Sequence, residues 1–77
     1  MNKRRREKLS EANILLDKAA SIVERSMEEE EDSLNNLPES LQGSERGEAM
    51  EETIDELHMA IDSISDAIAH IDCARNS

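Results

Sequence analysis

Large apolar residues recur in the last third of the chain with the 4-3-4-3-4-3 spacing of a heptad repeat. This spacing places all of them on one side of an α-helix, where a second helix can cover them. The pattern predicts a helix over residues 45–75 whose apolar seam packs against another helix. The residues of this seam are Met50, Ile54, Leu57, Ile61, Ile64, Ile68 and Ile71.

A second helical pattern covers residues 5–34, and its apolar face is wider. Large side chains recur every seventh residue at one seam position, and small side chains occupy the other. The large residues are Leu9, Leu16 and Val23, and the small ones are Ala12, Ala19 and Ser26. Leu15 and Ile22 widen the face further. A face of this width can meet more than one helix, as in a helical bundle.

The segment 35–44 between the two patterns contains the residues that end helices. Pro38 disfavours the α conformation of the residue before it, and it can open a single helical turn. Gly43 suits a left-handed stop, and Ser44 can cap the next helix. A link of ten residues favours antiparallel neighbours. We therefore predict an all-α fold, a single antiparallel helical hairpin that spans residues 1–77.

The composition favours self-association of this hairpin. The chain has 77 residues, no Phe, Tyr or Trp, and one cysteine, Cys73, so its core is small and no disulfide can form within it. Chains of this size often need a partner to be stable. We expect a homodimer in which two hairpins form a four-helix bundle, with the two apolar seams as its core.

The formal charge of −10 is unevenly spread along the chain. Residues 1–8 carry a balance of +4, and residues 9–77 carry −14. An acidic body repels nucleic acid and anionic membranes and attracts basic protein surfaces. We therefore expect a basic protein partner, and neither membrane binding nor direct nucleic-acid binding. The carboxylates assigned to the protein-binding face are Glu28, Glu29, Glu31, Asp32, Glu51, Glu52, Asp55 and Glu56.

The two charge blocks also suggest how two hairpins are oriented. If they associate end over end, the basic start of one lies near the acidic hairpin tip of the other. This hypothesis predicts that neutralising Arg4, Arg5 and Arg6 weakens the dimer at low salt.

The run Asn36-Leu37-Pro38-Glu39-Ser40-Leu41-Gln42-Gly43-Ser44-Glu45-Arg46-Gly47-Glu48-Ala49-Met50-Glu51-Glu52 resembles a segment of small acidic helical proteins of phages and mobile elements in Gram-positive bacteria. The resemblance continues through Ile54-Asp55-Glu56-Leu57. It implies a helical fold, and it implies that the protein acts inside a bacterial host cell. It implies no particular activity. This chain has Asp32-Ser33-Leu34 where members of the group often carry aromatic residues.

Two patterns admit a chemical role. Glu28-x-x-Glu31 and Glu52-x-x-Asp55 resemble the magnesium-binding carboxylates of MazG-like nucleotide pyrophosphatases, but their heptad positions point outward. His58, Asp62, Asp66 and His70 form a ladder at four-residue spacing, which suits a solvated helix face as well as a transition metal. Neither pattern amounts to a catalytic constellation, so we predict no enzyme and no cofactor.

These observations favour a non-catalytic protein–protein interaction module, which we expect to be located in the cytoplasm. The chain lacks an apolar leader and any apolar run long enough to cross a membrane. One role open to an acidic module is that of an anti-defence inhibitor that competes with nucleic acid for a nuclease. The alternatives are a helical bundle that binds or hydrolyses a nucleotide with magnesium, and a purely structural assembly protein.

Overall fold

The protein is all-α in a computed structural model that describes all 77 residues. Helix α1 spans Lys3–Asn35, the single turn α2 spans Glu39–Gln42, and helix α3 spans Glu45–Arg75. Helices α1 and α3 run antiparallel and form a rod of 59 × 15 × 11 Å between Cα atoms. The predicted hairpin is confirmed, and the bounds of its second helix are those expected from the heptad pattern.

Side-chain caps explain where the two long helices begin. The Asn2 side chain accepts a hydrogen bond of 2.9 Å from the Arg5 amide, so α1 starts two residues before the predicted position in spite of its basic first turn. The Ser44 hydroxyl accepts a bond of 3.5 Å from the Gly47 amide at the start of α3, and it also donates to the Leu41 carbonyl. The predicted cap at Ser44 is therefore confirmed.

The link between the long helices differs from prediction in one respect. Gly43 has φ of −89°, so it does not adopt the left-handed conformation that we expected. Pro38 precedes the turn α2 as its cap, and the Leu41 amide donates to the Pro38 carbonyl at 2.8 Å. Leu34 and Leu37 are half-buried beneath the link, whereas Leu41 is exposed.

The seam of α3 packs on α1 as predicted. On α1 the assigned large residues Leu9, Leu16 and Val23 face α3, but the other seam position is shifted by one residue from the assigned one. All seven apolar seam residues of α3 are half-buried. On α1 the two most buried side chains are Asn13 and Met27, each one residue beyond an assigned small seam position. The α1 residues turned toward α3 are Leu9, Asn13, Leu16, Ala20, Val23, Met27, Glu30 and Leu34, again with heptad spacing.

The core of a single hairpin is thin. No side chain is fully buried, and Met27 is the only large apolar residue that is buried. The carboxylate-bearing Glu30 is half-buried on the α1 seam, and the helix continues through it without a break. Two helices can enclose only one line of contacts, so each seam side chain keeps one side open to solvent.

Polar contacts fix the alignment of the two helices at the end of the rod that holds both termini. The Asn13 side-chain amide donates to an Asp72 carboxylate oxygen at 2.8 Å, and an Arg75 guanidinium nitrogen donates to the Ser10 hydroxyl at 2.7 Å. Arg75 also lies 3.9 Å from the Asp72 carboxylate. These contacts place Asn13 level with Asp72 and Ser10 level with Arg75, which sets the register of the whole hairpin.

Candidate protein-interaction site

The eight carboxylates assigned to the protein-binding face surround the hairpin near its tip. Glu31 and Glu51 lie beside the seam on one flank, Glu29 and Glu56 lie toward the opposite flank, and the other four point outward. Seven of the eight are exposed and Glu31 is half-buried. We call this set the acidic collar. It is a ring of charge at one level of the rod, and it is not a single flat face.

No basic side chain neutralises the acidic collar. The ion pairs of the structure join Lys3 to Glu7 and Arg75 to Asp72, at the other end of the rod. The collar carboxylates therefore repel one another in the free protein. A cationic surface that bound there would relieve this repulsion, which gives the collar an intrinsic preference for basic partners.

Part of the acidic collar borders a shallow, open depression on α3. Glu52, Asp55 and Glu56 form its charged rim. The rest of its lining is small or apolar, and consists of Ala49, Thr53, Leu57 and Met59. Met59 is 60% exposed, so the depression offers an apolar contact beside three negative charges. A basic side chain with an aliphatic stem suits such a surface, because its stem can pack while its charge reaches a carboxylate.

The residues of the two chemical patterns do not converge in the hairpin. No three histidine, cysteine, aspartate or glutamate side chains lie close enough together to hold a metal ion. Glu28, Glu52 and Asp55 of the MazG-like pattern are exposed, and Glu31 is half-buried. The His58, Asp62, Asp66 and His70 side chains are all exposed along α3. A single hairpin thus presents separated carboxylates and imidazoles on a solvated surface.

The basic start lies at the end of the rod opposite the hairpin tip. Lys3 is 4.0 Å from Glu7, whereas Arg4, Arg5, Arg6 and Lys8 are exposed and form no ion pair. The α-amino group of Met1 donates to the Ser77 carbonyl at 3.1 Å, which ties the two chain ends together. The molecule is therefore a rod with a cationic end and an anionic tip.

An apolar surface outside the seam includes residues that the sequence predicted only to widen the apolar face of the first helix. Leu15 and Ile22 are each 60% exposed, and the half-buried alanines 12 and 19 lie between them and α3. Ala60 and Ala67 of α3 lie on the same side of the rod, because equivalent heptad positions of antiparallel helices face each other. We call this side, Ala12, Ala19, Ala60 and Ala67 with the rim of Leu15 and Ile22, the alanine flank.

Cys73 is exposed and has a free thiol. Neither long helix holds a stretch that is apolar enough and long enough to cross a membrane. Comparison of the chain with protein-family models, with curated proteins and with solved structures returns no match.

Proposed function

We propose that this protein is a non-catalytic protein–protein interaction module that binds a basic surface of a partner protein through its acidic collar. The observation that carries the proposal is the set of eight carboxylates grouped at one level of a rigid rod with no basic side chain to neutralise them. Charge of one sign at such density costs the free protein stability, and a cationic partner would remove that cost.

The mechanism is steric and electrostatic. A hairpin of two long helices holds the collar in a fixed shape, and the depression beside Met59 supplies apolar contact at its edge. A protein that binds nucleic acid carries a basic surface, and the acidic collar is complementary in charge to such a surface. The proposal therefore includes inhibition of a nucleic-acid-binding protein, in keeping with the resemblance to phage and mobile-element proteins of Gram-positive bacteria.

The proposed working form is a homodimer in which two hairpins make a four-helix bundle. The support is the thin core, in which no side chain is fully buried and every apolar residue of the α3 seam keeps some exposure. A second hairpin would cover apolar surface that a single hairpin leaves exposed to solvent. Burial of apolar surface contributes roughly 25 cal/mol per Å² to the free energy of association. A dimer would also carry two collars and could hold a partner at two points.

The test compares two variants that lose the same charge at different places. The collar variant carries Glu28→Gln, Asp32→Asn, Glu52→Gln and Asp55→Asn, and the control carries Asp17→Asn, Glu24→Gln, Asp62→Asn and Asp66→Asn, all at exposed positions. Immobilised protein is mixed with lysate of a Gram-positive host at physiological salt. We expect wild type and control to retain the same basic protein and the collar variant to lose it. Equal retention by all three would contradict the proposal.

A further inference from the structure

The alanine flank leaves an apolar stripe of α1 uncovered. Leu15 and Ile22 lie seven residues apart at the same heptad position, and each is 60% exposed. A pair of large aliphatic side chains in line along a helix gains stability when another helix covers it. Beside them, Ala12 and Ala19 are small enough to let that helix approach closely.

The same stripe continues into an unpaired charge at each end. Lys8 lies one heptad before Leu15, and Glu29 lies one heptad after Ile22. Both are exposed, and neither takes part in an ion pair. Along the helix the stripe therefore reads basic, apolar, apolar, acidic. Reversed, it reads acidic, apolar, apolar, basic, so the stripe is complementary to an antiparallel copy of itself.

We propose that a second copy of this chain docks on the alanine flank with α1 against α1 in antiparallel orientation. Leu15 then packs on Ile22 of the second copy, and Lys8 pairs with Glu29 of the second copy. The inference rests on the proposed four-helix bundle and adds to it the face, the orientation and the register of the two hairpins. A parallel arrangement would instead set Lys8 against Lys8 and Glu29 against Glu29, which is repulsive.

Helix α3 supports the same register independently. The contacts of Asn13 with Asp72 and of Ser10 with Arg75 put the midpoint of the Leu15–Ile22 stripe level with Ala67. Ala74, which is exposed, lies one heptad beyond Ala67 on the same side of α3, so the row Ala60, Ala67 and Ala74 is also centred on Ala67. One two-fold axis therefore centres both stripes, with Ala60 against Ala74 of the second copy and α3 packed closely on α3.

The opposite flank of the hairpin is unsuited to a second copy. Its positions beside the seam carry five carboxylates that two copies would bring together. They are Asp17, Glu24, Glu31, Glu51 and Asp72. The alanine flank contains no such concentration between Leu15 and Ile22. In the dimer the acidic flank and most of the collar stay outside, where a basic partner can reach them, and Glu29 is the collar residue that takes part in the proposed ion pair.

Disulfide trapping tests the register. In a Cys73→Ser background, the single variants Leu15→Cys and Ile22→Cys are oxidised with diamide, alone and as an equimolar mixture. Diamide accepts the two electrons and two protons released as each disulfide forms. We expect a covalent dimer in the mixture and little in either variant alone. In the proposed register the two cysteines of a dimer made from one variant lie about 10 Å apart along the helix axis, which is too far for a disulfide. Cross-linking of either variant with itself would overturn the proposal.

Charge reversal provides a second test without cysteines. Sedimentation equilibrium at low salt should show the dimer dissociation constant raised about tenfold by Lys8→Glu or by Glu29→Lys, since each variant turns two attractions into repulsions. The double variant K8E/E29K should recover wild-type affinity. Arg25→Glu, at an exposed position off the stripe, is the control. A double variant as weak as the single ones would refute the pairing.

The outcomes separate this inference from the function on which it rests. A wild-type chain that sediments as a monomer would contradict both the four-helix bundle and this register. A dimer that forms no mixed disulfide between positions 15 and 22 would contradict only the register. Retention of a basic partner by the collar is measured in another experiment, and its failure would leave the disulfide result intact.

Discussion

At the scale of single residues, Gly47 is the position with the least tolerance for change. It is buried in the first turn of α3, against the end of α2. A Cβ atom at this position would lie 2.0 Å from the Gln42 carbonyl oxygen, which is part of the backbone and cannot swing away. Gly43, four residues earlier, has no atom within 4 Å of the equivalent point. Close approach of backbone, and not an unusual φ angle, is therefore what requires glycine at position 47.

We expect Gly47→Ala to lower the free energy of unfolding by about 1–3 kcal/mol, the usual cost of overpacking. Alanine favours a helix interior over glycine by about 0.5–1 kcal/mol, so propensity alone predicts the opposite sign. The measurement is urea unfolding followed by circular dichroism at one protein concentration. Gly43→Ala is the matched control and should change stability little. A Gly47→Ala variant as stable as wild type would show that α2 can move away from α3.

At the scale of secondary-structure elements, the sequence predicted one helix in full and the other in outline. The α3 seam was identified because every one of its positions holds a large apolar residue, and all seven pack toward α1. On α1 the large seam residues Leu9, Leu16 and Val23 were assigned correctly and are half-buried. The other seam position was assigned one residue too early, because it holds the polar Asn13, which is one of the most buried residues of the helix. A heptad assignment made from sequence places apolar residues at the seam positions and passes over a polar residue such as Asn13. Only the Asp72 partner explains why Asn13 lies inside.

The prediction of the candidate site was limited in the same way, because the sequence does not show how the two helices are aligned. The sequence assigned the eight collar carboxylates to one face, whereas the structure distributes them around the rod. Their distribution around the rod depends on the frame of α1 and on its register with α3, which the ten-residue link leaves open. The contacts of Ser10 and Asn13 with α3 supply that register, and they join residues too far apart in the chain for spacing to predict.

Asn13 determines the alignment of α1 and α3 at some cost to stability. Its amide nitrogen is bonded to Asp72, but its buried side-chain oxygen has no hydrogen-bond partner. Asn13→Leu removes that oxygen and extends the apolar seam, so we expect the free energy of unfolding to rise by about 1–2 kcal/mol. Ser21→Leu, at an exposed position of α1, controls for helix propensity. A fall in stability would mean that the bond to Asp72 outweighs the unpaired oxygen.

At the scale of the whole molecule, charge and shape act together. The cationic start and the acidic collar lie toward opposite ends of a rod 59 Å long, which is several Debye lengths at physiological salt. The two blocks therefore act as separate charges that another molecule can address individually. Two copies can satisfy them in two ways, either side by side and antiparallel, or in line with the start of one against the tip of the next. The apolar stripe of the alanine flank distinguishes these arrangements, because only side-by-side packing covers it.

Small-angle X-ray scattering separates the two arrangements without mutation. The Cα radius of gyration of one hairpin is 17.4 Å. Two rods packed at the usual interhelical distance of 8–10 Å should together give about 18 Å, whereas two rods in line should give about 34 Å. We expect the smaller value with twice the monomer's forward scattering.

The variant Ile22→Glu should halve the forward scattering, because it places a charge in the covered stripe. Ser21→Glu, at the neighbouring exposed position, should leave the forward scattering unchanged. A dimer with the larger radius would show that charge, and not the apolar stripe, joins the two copies.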